Sequence, residues 1–491
     1  MSAGLSAAVR SVLRRAVREF AGEPVEAELR AQLDRLDEPL RVAIAGKVKA
    51  GKSTLLNGLV GELIAATDAG ECTKVVTWYR NGPTPRVVSY PDSDVNGGEP
   101  APLAVHRENG ALTIQLRDVP AERLRKLVVD WPSRSLSGVT LIDTPGIGST
   151  SSRTSARTLS MLTPDDDSPA EADAVVYLMR HLHATDAEFL ESFRDQSVAR
   201  ASSVNTIAVI SRADEVGGGR IDAMLSARRI ARRYQGEPAL RGLCQTVIPV
   251  AGLLAATGRT LRQAEFDTLA ALAAGPRAEV DSALLSTQRF LRCAMVPAAH
   301  RASLLDRFGL FGLRLSTMYI RQGRTTSTAL ATELVRCSGL HELREVLDVQ
   351  FTQRRDLLKA RSGLLALERV LAVLPAPSLA AEVERISSGA HEFVELRLLS
   401  ALRCGEVSVP DSVLAQRLLG GQGVSPIHRL ALAKDASDSD VRSSALSELD
   451  RWRRRAEDPF ADRQAVHAYR AVVRTCEGLV AALSSPVASE V

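Results

Sequence analysis

The sequence predicts an α/β head with a mostly parallel sheet, joined to an α-helical bundle that forms a neck and trunk. Between residues 41 and 250, short runs rich in β-branched residues alternate with glycine, proline and helical stretches, the pattern of an α/β sheet domain. From about residue 255 the strand signals stop and the apolar spacing becomes helical. Aromatic residues make up only 4% of the chain, so leucine, valine and alanine must fill the cores, a balance that favours helices.

The bulk composition excludes several classes of protein. Apolar residues at 45% and charged residues at 24% of 491 positions are ordinary for a soluble globular protein, and this length predicts two to four domains at roughly 150 residues each. The net charge of +4 indicates no dedicated nucleic-acid surface. The six cysteines form no CxxC pair, which argues against a zinc site or a disulfide framework. With no apolar run of about 18–20 residues and no signal peptide, we expect a cytoplasmic protein.

The elements are predicted in the following order along the chain. Apolar residues over 5–20 share one face of an amphipathic helix, and a second helical stretch follows over 29–36. After Arg41 the pattern changes, and we expect eight strands: Val42–Ala45, Val75–Tyr79, Val87–Tyr90, Leu112–Leu116, Val139–Ile142, Val175–Met179, Thr206–Ile210 and Val247–Val250.

The helical remainder carries narrow apolar seams with alternating spacings of three and four residues. They are Leu357, Ala360, Leu364, Leu367, Leu371 and Leu374 in the first seam, and Val466, Tyr469, Val473, Cys476, Val480 and Leu483 in the second. Such seams are typical of long helices packed in a bundle. We expect the N-terminal helices to pack with them, because both flank the head.

The lysines mark a candidate phosphate-binding loop. Only seven of the 62 basic residues are lysines, and three of these fall in Gly46-Lys47-Val48-Lys49-Ala50-Gly51-Lys52-Ser53, which fits G-x-x-x-x-G-K-S. The run follows a predicted strand and opens a helix, so its backbone N–H groups and the helix N-terminus can face a phosphate. We expect Lys52 to reach the β- and γ-phosphates and the Ser53 hydroxyl to bind Mg²⁺. The other nucleotide-binding positions expected in this loop are Gly46, Lys49, Ala50, Gly51 and Thr54.

Two downstream motifs are expected to complete the phosphate and metal site. Asp143-Thr144-Pro145-Gly146 ends a predicted strand, so Asp143 can hold Mg²⁺ and the Gly146 N–H can sense the γ-phosphate. Thr73 lies 21 residues after Lys52 in a polar loop, where a switch threonine would complete the Mg²⁺ shell.

A third motif indicates guanine as the base. Ser211-Arg212-Ala213-Asp214 follows a predicted strand, in the position of the guanine-reading N/T-K-x-D motif. Asp214 can accept from guanine N1–H and from the 2-amino group, whereas ATP would leave the carboxylate poorly paired at about 1–3 kcal/mol. Arg212 replaces the usual lysine and can still stack on the base. Ala251, after the last predicted strand, would add a backbone contact to the base.

The group that drives hydrolysis stays open. Ras-like enzymes place a glutamine just after D-x-x-G, whereas Ile147 follows Gly146 here and cannot orient water. Transition-state charge would be stabilised by Lys49, by a monovalent cation or by a residue from a second subunit. The candidate catalytic residues are therefore Lys52, Thr73 and Lys49, and a solvent-exposed loop lysine is the alternative interpretation of Lys49.

With these motifs the sequence resembles the bacterial dynamin-like GTPases, and among them the isoniazid-inducible proteins of mycobacteria. The resemblance also rests on Cys72-Thr73-Lys74-Val75-Val76-Thr77, Arg307-Phe308-Gly309-Leu310-Phe311-Gly312-Leu313-Arg314 and Ser338-Gly339-Leu340. It is strongest over 40–360 and divides the chain into N-terminal neck helices (1–38), a dynamin-type GTPase domain (39–345) and a helical neck and trunk (346–491).

The resemblance implies a Mg²⁺-dependent GTPase that binds GTP and GDP and acts peripherally on the plasma membrane, in membrane remodelling during cell-envelope stress. It implies homo-dimers or oligomers formed through the GTPase head, a second dynamin-like subunit and an anionic membrane surface as partners, and no nucleic acid. Eukaryotic dynamins carry Gln-Ser where this loop has Val48-Lys49, so their cation-assisted mechanism need not apply.

Three segments are candidates for lipid contact, each with a structural alternative. Phe308–Ile320 is rich in apolar residues, but it also fits a buried helix between head and stalk. The glycine-rich stretch after residue 417 would expose Leu418, Leu419 and Val424 at a trunk tip, or form an ordinary connection between helices. Arg451–Arg455 would contribute about 4 kcal/mol at an anionic surface, or form a solvated helix face.

Two other functions are compatible with the sequence. The chain could be a nucleotide-gated regulatory partner of another dynamin-like subunit, with little turnover of its own, as the isoleucine after the D-x-x-G motif suggests. It could also be a stress GTPase that acts on ribosomes or RNA, although the near-neutral charge argues against this alternative.

Overall fold

The computed structural model describes residues 2–65, 74–92, 98–108, 110–116, 120–146, 171–191, 205–240 and 243–482. The strands of these residues are β1 (Leu40–Gly46), β2 (Thr77–Asn81), β3 (Arg86–Pro91), β4 (Ala101–Leu103), β5 (Val105–Glu108), β6 (Ala111–Ile114), β7 (Leu124–Trp131), β8 (Val139–Asp143), β9 (Ala174–Met179), β10 (Thr206–Ser211) and β11 (Val247–Val250). Short 3₁₀ helices cover Ala121–Arg123, Arg134–Leu136, Ala213–Gly218, Pro238–Leu240 and Thr352–Arg354.

The α-helices fall into three groups. Those before and within the head are α1 (Ser2–Glu19), α2 (Val25–Arg35), α3 (Lys52–Val60), α4 (Ala184–Glu191), α5 (Ala223–Gln235), α6 (Gly252–Arg259), α7 (Gln263–Ala274), α8 (Arg277–Ala283), α9 (Thr287–Leu291), α10 (Ala298–Arg321), α11 (Ser327–Cys337) and α12 (Leu340–Gln350). The neck continues with α13 (Arg355–Val373) and α14 (Pro377–Gly389). The trunk contains α15 (His391–Cys404), α16 (Ser412–Leu418), α17 (Pro426–Leu430), α18 (Asp438–Ala456) and α19 (Arg463–Ala482).

The head is built on a nine-stranded sheet with the order β11-β10-β9-β1-β8-β2-β7-β3-β4. The five strands from β11 to β8 in this order are parallel, whereas β2 runs antiparallel to β8 and parallel to β7. Val42, Ala43, Ile44 and Ala45 of β1 are buried apolar residues, as expected for a central strand covered on both faces. The prediction of a mostly parallel α/β head with a helical neck and trunk is confirmed.

The sequence pattern missed three strands, and the most important is β7, an internal strand between β2 and β3. Its first half contains Arg125 and Lys126, which interrupt the apolar run that the pattern requires. The sheet accommodates this charge because the Lys126 ammonium lies 4.0 Å from the centre of the Trp78 ring, a cation–π contact. The predicted strand at Leu112–Leu116 forms β6, but it pairs with β5 in a separate two-stranded sheet.

Helices from before and after the head form the neck. The helices α1 and α2 share one apolar core with α13 and α14, in which Val9 and Leu13 pack with the first seam. The core of the sheet includes Phe351 and Leu358, so residues at the start of the predicted neck pack against the head. The second apolar cluster of the helical part belongs to the trunk and is centred on Trp452, which is fully buried.

A buried ionic cluster, which we call the neck joint, ties the neck to the head. Asp173 directly precedes β9 and accepts hydrogen bonds from Arg35 Nη2 at 2.8 Å and from the Arg41 N–H at 2.9 Å. Lys359 of α13 donates to the main-chain oxygens of Arg35, at 2.7 Å, and of Glu38. A compact ammonium with three donors suits such a set of carbonyl groups better than a planar guanidinium does. Burial lowers the pKa of Lys359 to about 8.

The expectation that Leu418 and Leu419 form an exposed trunk tip is wrong. Their side chains are 0% and 1% exposed in the trunk core, because the glycine turn that follows packs against the head. Gly421 O accepts from Gln350 Nε2 at 2.9 Å, and Val424 is only partly exposed. This segment therefore lies where the trunk meets the head.

The structure favours the alternative interpretation for the other two candidate lipid segments, a buried helix for one and a solvated helix face for the other. Phe308, Phe311 and Leu313 of α10 are buried, and Arg453 of the arginine run pairs with Glu477 at 2.7 Å on an exposed face. None of the helices in the described ranges has the length and apolar character needed to span a bilayer.

Candidate nucleotide site

The fold imposes the shape of the phosphate loop. Gly46 ends β1 with φ 150°, and a Cβ at this position would lie 2.5 Å from Leu178 O on β9, so a larger residue would not fit. Gly51 has φ 91° and caps the N-terminus of α3. Lys49 is exposed and has φ 62°, a conformation that costs a non-glycine residue about 1–3 kcal/mol. A strained residue at this position supports a functional role for the loop.

Lys52 lies at the base of this loop. Its Nζ donates to Gly46 O at 3.2 Å and to Lys47 O at 3.3 Å. Burial lowers the pKa of Lys52, and nearby Asp143 partly counteracts this effect. The ammonium is therefore held among main-chain oxygens that phosphate oxygens can replace.

Ser53 and Asp143 form the candidate metal site. Ser53 Oγ donates to Asp143 Oδ2 at 2.6 Å, while Asp143 Oδ1 is buried without a hydrogen-bond partner among the described residues. Burial raises the pKa of Asp143, against the opposing effects of Lys52 and Ser53. A buried carboxylate oxygen beside a hydroxyl fits Mg²⁺, which commonly takes one or two carboxylates together with phosphate oxygens and waters. Thr73, the predicted third ligand and candidate catalytic residue, lies outside the described residues.

The D-T-P-G segment lies directly against the phosphate loop. Thr144 Oγ1 donates to Ile44 O at 2.9 Å, which fixes the segment to β1. A Cβ on Gly146 would lie 2.7 Å from Val48 Cα, so only glycine permits this approach. Gly146 is therefore placed where its N–H can sense a phosphate, and Ile147 lies outside the described residues.

A pocket of about 150 Å³ brings the phosphate loop and the third motif together. Ala50, Gly51 and Thr54 line it on one side, and Arg212 and Asp214 line it on the other. Residues that are distant in the sequence converge here because β1 and β10 are separated only by β9 in the sheet, and parallel strands present their carboxyl ends at one edge.

Asp214 is a buried acid without a full set of partners. Its Oδ1 has no hydrogen-bond partner within the described part of the chain, and burial raises its pKa to about 6. A base that donates two N–H groups to this carboxylate would favour the ionised form. Arg212 has φ 51° and donates to Glu215 Oε1 at 2.8 Å, so its guanidinium is held beside the pocket by a residue that sequence reasoning did not single out.

The structure places Ala251 behind the pocket wall. Its N–H donates to Ser338 O at 2.9 Å, and its side chain is buried. The neighbouring Val250 and Gly252 line the pocket instead.

The loop has an anchor that sequence reasoning missed. Lys47 Nζ lies 3.0 Å from Asp186 Oδ1, and this buried carboxylate also accepts from Tyr177 OH at 2.7 Å and from the His183 N–H at 3.0 Å. Asp186 lies in the first turn of α4, where acidic residues are common, so its position carried no signal of a second role. The lysine excess in the loop was the available signal.

Comparisons with known proteins identify the family of the chain. The sequence profile of the Dynamin family matches residues 42–213. The isoniazid-induced protein IniC of Mycobacterium tuberculosis is 43% identical over 492 residues, which cover 97% of this chain and 98% of the relative. The chain belongs to the IniC-like proteins of the dynamin family.

Other relatives match parts of this IniC-like chain. The isoniazid-induced protein IniA of Mycobacterium tuberculosis is 32% identical over 161 residues, which cover 32% of the chain and 23% of IniA. The bacterial dynamin-like protein of Nostoc punctiforme is 30% identical over 125 residues, which cover 23% of the chain and 17% of that protein. A solved structure of an oligomerised bacterial dynamin pair covers 98% of this chain and 80% of its own at 13% identity and a TM-score of 0.32, too low to bear on function.

Proposed function

We propose that this IniC-like protein binds GTP with Mg²⁺ and hydrolyses it to GDP and phosphate. The observation that carries the proposal is the pair of buried carboxylates: Asp143 and Asp214 each keep one oxygen without a partner among the described residues. One lies beside the Ser53 hydroxyl and the other in the base pocket. Asp143 ends β8 and Asp214 follows β10 in the same parallel part of the sheet, an arrangement that suits a ligand with phosphates at one end and a hydrogen-bond-donating base at the other.

Hydrolysis would proceed by attack of a water oxygen on the γ-phosphorus, with cleavage of the bond to the β–γ bridging oxygen and release of GDP. Lys52 would offset charge on the β- and γ-phosphates, and the Gly146 N–H would donate to the γ-phosphate. Ser53, Asp143 and Thr73 would hold Mg²⁺, which neutralises charge on the phosphate oxygens. Lys49 is the candidate for transition-state stabilisation, because it lies in the phosphate loop with a strained backbone (φ 62°).

The decisive experiment measures GTP binding and turnover of Lys52→Ala beside the parent protein. We expect turnover to fall by about 100-fold or more, because the phosphate charge loses its main counter-charge. Lys434→Ala, at an exposed trunk lysine, serves as the control and should leave turnover unchanged. Intact turnover in Lys52→Ala, or a parent protein that binds neither GTP nor GDP, would refute the proposal.

The same protein would act peripherally on an anionic membrane, as a cytoplasmic homo-dimer or oligomer during cell-envelope stress. The relation to proteins named as isoniazid-induced supports a role in envelope stress. With Leu418 and Leu419 buried, the better candidate for lipid contact is the turn between α18 and α19, where Phe460 is 95% exposed. A second exposed apolar residue, Val413 at 74% exposure, lies nearby. Its segment is next to the end of α18, because Arg455 donates to Pro410 O at 3.2 Å.

Sedimentation with vesicles that contain phosphatidylglycerol tests this surface. Phe460→Asp should reduce the bound fraction several-fold, because one aromatic side chain contributes about 1.5–3 kcal/mol on burial and many copies act together in an oligomer. Val373→Asp, at an exposed apolar residue of the neck, is the matched control. Equal binding by both variants would exclude the Phe460 turn.

A regulatory partner of another dynamin-like subunit is the second candidate function. Ile147, in place of a water-orienting glutamine, favours it. In that case single-turnover hydrolysis at saturating GTP would remain slow until the partner subunit is added, whereas an independent GTPase would turn over without it.

A further inference from the structure

Three arginines lie together where the trunk meets the head, outside the nucleotide site. Arg354 Nη2 donates to Gly420 O, and Arg403 Nη2 donates to Gly421 O at 3.2 Å. A Cβ on Gly420 would lie 3.2 Å from Arg354 Nη2 and 3.4 Å from Arg429 Nη2, so these two guanidinium groups are close neighbours. We call these three side chains and the glycine turn the arginine cluster.

Within the arginine cluster, Arg429 is paired with a carboxylate, whereas the buried Arg354 has donors without partners among the described residues. Glu395 binds Arg429 with both oxygens, at 2.6 and 2.9 Å, and also accepts from Thr475 Oγ1 at 2.7 Å. Arg354 is buried, and its Nε and Nη1 have no hydrogen-bond partner among the residues that the structure describes. Burial, with Arg403 and Arg429 nearby, lowers the pKa of Arg354 to about 9, against the opposing effect of Glu395. A buried guanidinium with so little compensation is strongly destabilising unless an anion joins it.

An unpaired acceptor lies beside these unpaired donors. Gln350 precedes Arg354 by one helical turn, and its Nε2 donates to Gly421 O at 2.9 Å. Its Oε1 is buried and has no partner among the described residues. A chloride ion would satisfy the guanidinium alone, whereas a hydrogenphosphate group accepts from Arg354 and can donate its own O–H to Gln350.

We propose that the arginine cluster is a second anion site, which binds a phosphate group and thereby holds the trunk against the head. The cluster joins the end of α12 to the trunk, and Arg403 Nη1 also reaches Gln245 Oε1 of the head, at 3.4 Å. A bound phosphate group therefore stabilises the contact between these parts. The phosphate group comes either from inorganic phosphate or from the phosphate monoester headgroup of an anionic lipid, because both can carry the O–H that Gln350 Oε1 requires. It is independent of the nucleotide.

Equilibrium dialysis of the full chain against radiolabelled inorganic phosphate tests the site. The Lys52→Ala background removes the phosphate loop as a competing site. We expect one phosphate per chain, and a melting temperature about 3 °C higher at saturating phosphate than in chloride of equal ionic strength. Arg354→Met should weaken phosphate binding by about 10-fold or more and should melt above its parent in phosphate-free buffer, because it removes a poorly compensated buried charge.

Arg344→Met is the matched control. Arg344 is another partly buried arginine, whose Nη2 donates to Leu59 O in the head, and burial lowers its pKa to about 10. Its replacement should leave phosphate binding and the phosphate-induced melting shift unchanged. Equal loss of binding in Arg344→Met and Arg354→Met would assign the effect to general destabilisation and overturn the proposal.

A vesicle arm identifies the source of the phosphate group. Sedimentation with phosphatidic acid vesicles that depends on Arg354 would assign the lipid headgroup, whereas phosphate binding without such sedimentation would assign the free ion. No Arg354-dependent binding of either probe would overturn the proposal. A parent protein without a phosphate response, together with an Arg354→Met protein that melts below it, would overturn the proposal and mean that the guanidinium only supports the glycine turn.

Discussion

The neck joint and the nucleotide site both contain buried carboxylates, but they differ in how the protein completes the hydrogen bonds. Both oxygens of Asp173 in the neck joint have partners: Oδ1 accepts from Arg35 and Ser362, and Oδ2 accepts from the Arg41 N–H. Asp143 and Asp214 of the nucleotide site each keep one oxygen without a partner within the described ranges. An unsatisfied buried acceptor costs about 1–3 kcal/mol. The joint is thus a completed structural contact, whereas the nucleotide site carries a destabilisation that a ligand can relieve.

The largest effect should follow from breaking the completed contact. Asp173→Asn leaves the Arg35 guanidinium buried without its opposite charge, and we expect the free energy of unfolding to fall by about 3–5 kcal/mol. Denaturant unfolding of the full chain measures this loss. Asp37→Asn removes an exposed ion pair with Arg10 on the same neck and should have little effect. Similar small changes in both variants would contradict the distinction between the two regions.

In the base pocket, replacing the acid should raise the free energy of unfolding, whereas in the neck joint it should lower it. The pKa of Asp214 is raised to about 6, so its contribution to stability is present at low pH and is lost as pH rises through about 6. Asp214→Asn should therefore stabilise the nucleotide-free protein at pH 7 by about 1–3 kcal/mol. The gain should shrink to about half at pH 5, because the native carboxyl is then mostly protonated.

Nucleotide binding by the same variant should change in the other direction. The parent's affinity for GDP should rise as pH increases through about 6, since the ionised carboxylate accepts from the base. Asp214→Asn should lose this pH dependence together with about 10-fold or more of its affinity. Calorimetric titrations at several pH values check both points. A destabilised Asp214→Asn protein with unchanged GDP affinity would contradict the role of Asp214 as the acceptor for the base.

The smallest effect should come from the loop anchor. Lys47→Met leaves Asp186 with its bonds from Tyr177 and His183. Because Lys47 is itself 40% exposed, we expect the free energy of unfolding to fall by about 1 kcal/mol, less than for Asp173→Asn. GDP affinity should fall several-fold, because the phosphate loop loses a tether. Lys434→Met is the control in a fluorescent-nucleotide titration. Unchanged affinity in Lys47→Met would show that the contact between Lys47 and Asp186 does not support nucleotide binding.

The sequence predicted the parts whose chemistry is local. The spacing of Gly46 and Gly51 with Lys52 specifies a loop on its own, and the positive φ angles follow from it. The trunk turn was misjudged because a glycine-rich run with adjacent leucines has the same pattern whether it is exposed or buried. Its burial depends on Gln350 and Arg354, which lie 71 and 66 residues away from their partners in the turn.

The position of the neck joint has a consequence for how such a molecule can diversify. The strands β1 and β9 begin at the joint and end at the nucleotide site, and their seven and six residues span about 20 Å at the usual rise. The nucleotide site and the neck therefore lie at opposite ends of the same two strands. Neck helices of different length or surface can replace the present ones at the joint without altering the nucleotide pocket. The length of the neck and the chemistry of the pocket can therefore evolve separately.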